Sequence, residues 1–282
     1  MGSGTYSVTN SVARSTKLVG KSNAEIFKSR SLNNAMSPYN VLVRESRDSA
    51  EHPNSFPIII ALDLTGSMGS IPNFLVKKGL PHIMDQVIQN GEKDPQVLFL
   101  GVGDHECDGA PLQVGQFESG DELLEKWLTT VFLEGGGGGN EGESYGLAHF
   151  FAGYRTKTDS FEKRGRKGLL FTIGDEPTLQ DYPAETLKNL CGKGQYEEYT
   201  AVSLLKKARE TYDVYHIHVN HRGNDDQTID GWKQLMGKNL LVVDRAEDVA
   251  KAIADTVLKH KASGTTTAST GVAESTTSEE VL

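Results

Sequence analysis

Residues 56–62 read Phe-Pro-Ile-Ile-Ile-Ala-Leu, an unbroken apolar run that ends on Asp63. A strand with one wet face alternates apolar and polar residues, so a run that is apolar at both parities must be covered on both faces. The chain therefore has to supply two layers around this segment. Val97–Val102 (Val-Leu-Phe-Leu-Gly-Val), Gly168–Ile173 (Gly-Leu-Leu-Phe-Thr-Ile) and Val214–Val219 (Val-Tyr-His-Ile-His-Val) make similar demands. Leu240–Val243 is a shorter apolar run, and Leu112–Phe117 alternates as an edge strand does.

The segments between these runs have helical spacing. Ile71–Gln89 places Phe74, Leu75, Leu80, Ile83, Met84, Val87 and Ile88 on one side, with Pro81 inside as a kink or break. Glu122–Phe132, Tyr145–Tyr154, Thr200–Thr211, Ile229–Met236 and Ala246–Leu258 read as further helices. Strands alternating with helices predict an α/β fold, a doubly wound and mostly parallel central sheet flanked by helices, with one antiparallel edge strand. The predicted domain covers residues 56–260. Residues 1–55 are polar and predict an extended arm, and 261–282, rich in Ser, Thr and Glu, a disordered tail.

In open α/β sheets, ligands bind beyond the carboxyl ends of the strands. The residues with chemistry fall there. Asp63 follows the first buried strand, Asp104 the second, and Asp175 the strand ending at Ile173. Asp63-Leu64-Thr65-Gly66-Ser67-Met68-Gly69 is the sharpest pattern. An acid and two hydroxyls at alternate positions can converge on one small hard cation, and Mg²⁺ wants about six oxygen ligands while keeping several waters. The Gly135–Gly139 run before the Tyr145 helix adds room for close approach.

That pattern after an apolar strand resembles the Asp-x-Ser-x-Ser core of the metal-ion-dependent adhesion site in von Willebrand factor A domains. The resemblance spans residues 56–260 and implies a non-enzymatic module that holds Mg²⁺, Mn²⁺ or Ca²⁺ and captures an Asp or Glu of a partner protein. It maps the metal residues onto Asp63, Thr65, Ser67 and Asp175. The family's intermediate threonine has no counterpart in the loop 134–144, where Asn140 is the implied replacement, with Glu143, Ser144 and Asp104 as supporting groups. The Gly-rich loop is similar to that of intracellular members, which suggests a scaffold beside an AAA+ ATPase, a kinase or a stress or defence system.

Other chemistries fit less well. An aspartyl nucleophile at Asp63 needs a second acid two residues on, and Thr65 stands there, so a Mg²⁺-dependent phosphohydrolase is a weak alternative. A phosphate loop needs Lys-Ser/Thr after its glycines, which the glycine run lacks. Residues 104–108 offer Asp, His, Glu, Cys and Asp, but zinc usually draws ligands from at least two segments. His216 and His218 share one face of a strand and read as structural. Asp and Glu total 38 against 29 Lys and Arg, which argues against a nucleic-acid partner. Only Cys107 and Cys191 are present, and neither a signal-like apolar run nor a membrane-length one is visible, so a cytoplasmic setting is expected. A second alternative is a virion or filament component that uses the domain as a rigid block and self-associates through the N-terminal arm.

Overall fold

The computed structural model describes residues 4–68, 70–135, 142–220 and 225–268, and only the backbone for Ser67 and 261–268. The order of elements is α1 (Val8–Thr16), α2 (Asn23–Ile26), β1 (Arg44–Ser46), β2 (Phe56–Asp63), α3 (Ser70–Phe74), α4 (Leu80–Gln89), β3 (Pro95–Val102), β4 (Leu112–Val114), α5 (Asp121–Thr130) and α6 (Tyr145–Tyr154). There follow β5 (Thr156–Thr158), α7 (Asp159–Arg164), β6 (Gly168–Gly174), β7 (Asp181–Tyr182), α8 (Ala184–Cys191), β8 (Tyr199–Thr200), α9 (Ala201–Ala208), β9 (Tyr212–Val219), α10 (Asp226–Met236), β10 (Leu240–Val243) and α11 (Ala246–Ala268).

Six strands form the central sheet in the order β10-β9-β6-β2-β3-β4. All neighbours are parallel except β3 and β4, which makes β4 the antiparallel edge. β2 lies in the middle, with β3 on one side and β6 on the other. Every residue of β2, β3 and β6 is buried, as their two-sided apolar composition requires. Alternate residues feed separate cores. Ile58, Ile60 and Leu62 join Ile83, Val87, Val249 and Ile253, while Ile59 and Ala61 join Leu147, Phe151, Leu204 and Trp232. α4 and α11 therefore cover one face, and α6, α9 and α10 the other.

The strand order reverses between β2 and β6: the loop after β2 leads to α4 on one face and the loop after β6 to α8 and α9 on the other, so these loops diverge at the carboxyl ends. Asp63 closes β2, Asp104 follows β3, and Asp175 follows β6. The helix expected over 71–89 is interrupted by one wide turn, Leu75–Gly79, where the Leu80 amide donates to Leu75 O. Pro81 then sits in the first turn of α4, where its missing N–H costs nothing. α11 runs past the expected Leu258 to Ala268, so residues 261–268, expected in the tail, have helical backbone; 269–282 lie outside the described residues.

The N-terminal segment is not an extended arm. Ser7 caps α1 through its hydroxyl, and its amide donates to Asp121 on α5 (3.2 Å). Arg14 pairs with Asp121 and with Glu125 (2.8 Å), and Lys77 Nζ reaches Lys21 O (2.6 Å). Ile26, Phe27 and Met36 are buried in the core that holds Ile58 and Ile60. Their spacing is irregular and each stands among polar residues, so no periodicity marks them as core. β1 pairs in parallel with β5, a short strand after α6.

If this segment belongs to the core, Phe27→Ala and Met36→Ala each lower the unfolding free energy by about 2–5 kcal/mol, as deletions from packed interiors do. Urea denaturation followed by circular dichroism measures this. Unchanged midpoints would mean that the segment does not belong to the core.

Candidate functional site

Asp63 is buried at the carboxyl end of β2, and both of its oxygens are engaged. Oδ1 accepts from the Thr65 amide (2.9 Å) and the Thr65 hydroxyl (2.6 Å), and Oδ2 accepts from the Tyr145 hydroxyl (3.0 Å). A short acid two residues before a polar amide favours such a turn. The Thr65 hydroxyl spends its one donor on Asp63, so its oxygen offers only lone pairs to anything else nearby. The Met68 amide closes the turn on Thr65 O (3.1 Å).

Tyr145 opens α6 and is fully buried. Gly174 makes its approach possible, since a Cβ there would lie 1.7 Å from the Tyr145 oxygen. Sequence reasoning takes Tyr145 only as the start of a helix. A tyrosine at a helix start beside a glycine-ended strand is a signal only once β6 and α6 are known to meet.

Other loops close around this point. Glu134 takes the amides of Gly109 (3.0 Å) and Ala110 (3.2 Å) with its side chain, and its own amide donates to Leu64 O (3.1 Å). It thus ties the loop after β3 to the loop after β2, a role that the sequence does not mark. The Glu143 backbone exchanges hydrogen bonds with Pro177 O and Leu179 N, at 2.9 Å each, which fixes the segment after Asp175. Ser144 faces the other way: its hydroxyl accepts from the His105 amide (2.9 Å) and meets His105 Nδ1 (2.7 Å). It braces the loop after β3 instead of facing Thr65.

The structure thus brings Asp63, Thr65, Asp104, Glu143 and Asp175 to one rim, all buried. Asn140 lies outside the described residues, and of Ser67 only the backbone is described, in the turn Gly66–Met68. Asp104 accepts from the Glu106 amide through Oδ1 (2.8 Å), while its Oδ2 is buried with no hydrogen-bond partner among the described residues. Glu143 Oε2 is in the same condition. Among the described residues, no three His, Cys, Asp or Glu side chains form a group that could hold a metal ion.

Asp63 and Glu143 are both displaced upward. Burial pushes Asp63 up to about 7, with Asp175 adding repulsion against the hydrogen bonds from Thr65 and Tyr145. Burial pushes Glu143 up to about 9, and the neighbours acting on it, Asp63, Asp108, Asp104 and Glu176, are all acids. Burial also raises Tyr145, reinforced by Asp63, Asp175 and Glu143, so it stays a neutral donor. Next to the rim, burial lowers His218 and lowers His216 well below the usual range, which keeps both from supplying positive charge at neutral pH.

Asp63, Thr65, Asp175 and Glu143 offer oxygens of the hard type that Mg²⁺ favours, but as placed their side chains form no metal-holding group among the described residues. Thr65 is buried and its hydroxyl is committed as a donor to Asp63.

No protein-family model matches the sequence, and no curated protein matches it. Several solved structures are similar in fold. The pilus adhesin SpaC from Lactobacillus rhamnosus GG is 11% identical with a TM-score of 0.47, over 77% of this chain and 31% of that one. The vWF domain of the type V pili tip protein Mfa5 from Porphyromonas gingivalis is 10% identical with a TM-score of 0.46, over 79% of this chain and 97% of that one. BatB from Bacteroides thetaiotaomicron is 17% identical with a TM-score of 0.44, over 73% and 99%. The chain thus spans about a third of the length of SpaC. No helix among the described residues is long and apolar enough to cross a membrane.

An acid whose folded pKa is raised binds its proton more tightly in the folded state, so stability is greatest at low pH and falls as pH rises toward the folded pKa. For Asp63 and Glu143 that window runs from about 4, the unfolded value, through the folded values of about 7 and about 9. Without divalent cation, the melting temperature should therefore decline between pH 5 and pH 9 beyond what a Glu143→Gln variant shows, and at pH 8 that variant should melt higher than the parent. Differential scanning fluorimetry in EDTA reads both. A parallel decline in the two proteins would remove Glu143 as its source.

Proposed function

We propose that this chain is a non-enzymatic protein-interaction module that binds a divalent cation at the rim of its sheet and, through it, an Asp or Glu of a partner protein. The single observation that supports this most is the burial of Asp63, Asp104, Glu143 and Asp175 at one rim, where Asp63 feels Asp175 and Glu143 feels Asp63 and Asp104, with one oxygen each of Asp104 and Glu143 lacking a hydrogen-bond partner among the described residues. Isolated buried charge is costly, and acids so placed either keep protons or take a cation. Mg²⁺ is the first choice, with Mn²⁺ and Ca²⁺ as the other hard cations the donor set would take. When bound, the ion supplies positive charge and a coordination position for an outside carboxylate.

The chain's own residues do the rest. Asp63 orients the Thr65 oxygen by holding its proton. Tyr145 keeps Asp63 from turning away. Glu143 and Glu134 hold the loops after β6 and β3 at the rim through their amide contacts. Thr65 and Ser67 would touch the ion, with Asp175 and Glu143 beside them and Asn140 from the glycine-rich loop. Resemblance to intracellular von Willebrand A domains makes a cytoplasmic scaffold the setting, with an AAA+ ATPase, a kinase or a stress or defence component as the partner. A nucleophilic role for Asp63 is disfavoured, because both oxygens accept hydrogen bonds and Thr65 occupies the place of the required second acid.

Titration calorimetry with MgCl₂ or MnCl₂ should show binding to the parent chain and none to Asp63→Ala or Thr65→Ala. Capture of partner proteins from native lysate should be lost in EDTA and lost in the same two variants. Thr65→Ala should melt lower than the parent in EDTA, because it takes a donor from the buried Asp63 carboxylate, and circular dichroism at the assay temperature should show both variants folded. Equal partner recovery with and without EDTA would overturn the metal-bridged reading.

A further inference from the structure

The two edges of the central sheet are finished differently. At the β4 edge, Arg44 Nε donates to Gly115 O (2.8 Å), and Gln113 exchanges hydrogen bonds with the Phe132 backbone at 2.8 and 2.9 Å. That edge is closed by the chain itself. At the other edge, no strand among the described residues pairs with the outer side of β10. Natural proteins blunt open edges with short strands, internal charges, prolines or bulges. β10 is short but carries no internal charge, proline or bulge, and Val242 is 44% exposed.

Backbone direction identifies the residues that face outward. Val243 O accepts from the Asn220 amide (2.8 Å), the residue that follows β9. In a parallel pair, alternate residues turn both backbone groups to the same neighbour. Leu241 and Val243 therefore serve β9, Val242 turns its N–H and C=O outward, and Leu240 turns its C=O outward while its N–H donates to Gly237 O. Their side chains lie on the face packed by α10, while Leu241 and Val243 lie against the opposite core.

The sequence through this edge is complementary to itself. It reads Lys238-Asn239-Leu240-Leu241-Val242-Val243-Asp244, with the two charged residues exposed. An antiparallel partner related by a two-fold axis at Leu241 sets Leu240 opposite Val242 and Lys238 opposite Asp244. In that register the Val242 amide of each copy meets the Leu240 carbonyl of the other, two bonds that leave the Leu240 amide on Gly237 O. Moving the axis to Leu240 sets Lys238 against Val242, and moving it to Val242 sets Leu240 against Asp244. Only the axis at Leu241 matches charge with charge and apolar with apolar.

We propose that β10 is a homodimer edge, at which two copies of this chain join their sheets in antiparallel register about Leu241, with Lys238 of each copy against Asp244 of the other. The contact is isologous and closes at two copies. It does not involve the rim carboxylates, so it stands or falls separately from cation binding.

Sedimentation equilibrium of the full chain in EDTA tests it. The mass is expected to rise with concentration toward twice the 30.7 kDa of one chain. Val242→Lys should remain at monomer mass at every concentration with an unchanged melting curve. Val242→Pro, which removes an outward N–H and no internal hydrogen bond, should do the same. Lys238→Asp and Asp244→Lys, each alone, should shift the equilibrium to monomer, and the double exchange should restore the dimer. Hydrogen exchange should slow at the Val242 amide as concentration rises. A parent chain that stays at monomer mass, or a dimer that survives Val242→Lys and Val242→Pro, overturns the proposal. Failure of the double exchange to restore the dimer overturns the register.

Discussion

The buried carboxylate of Asp63 is the constraint around which the rim is built. An ionised acid at the end of a central strand has no water to solvate it, so protein donors must come to it. Two come from the turn immediately after β2, which is why Thr65 and not an apolar residue follows Leu64. The third comes from Tyr145, far along the chain, and this fixes where α6 begins relative to β6. Gly174 is then required for lack of space. One side chain thus decides the conformation of three loops, and the loops decide what else reaches the crevice.

What reaches it is mostly acid. Glu143 and Asp175 lie beside Asp63, and Asp104 and Asp108 lie behind, with the hydrogen bonds of the site devoted to holding loops in place. Three hydrogen bonds are not enough to keep Asp63 in its ordinary range, since burial and the repulsion of Asp175 win. Glu143 has no compensating hydrogen bond on one oxygen and is displaced further. On the proposed reading, protons and a cation would compete for the same place, so acid should oppose cation binding.

Parts of this were legible in the sequence for a plain reason. β2, β3 and β6 are apolar at both parities, so their burial on both faces, and with it a layered α/β fold, follows from composition alone. Asp63, Thr65 and Asp175 were legible because they sit directly after such strands. α8 and the short strands β5, β7 and β8 were not, since two or three residues carry no period and Ala184–Cys191 is polar on its outer face. Ile26, Phe27 and Met36 escaped because single apolar residues in polar surroundings have no pattern; only the finished core shows the places they fill. Tyr145 and Glu134 escaped for a different reason. Their roles depend on which loops meet, and spacing along the chain does not report that.

The rim and the β10 edge also bear on each other through direction. The rim lies at the carboxyl ends of the strands, and β10 is parallel to β9, β6 and β2, so it points toward the rim. Two copies joined in antiparallel fashion along β10 point their strands oppositely. Their rims then lie at opposite ends of one continuous sheet instead of side by side. Such a pair could not place both sites on one flat surface, so it would gain little avidity there. It would instead hold two partners apart and connect them, which suits a connecting scaffold better than an adhesive patch.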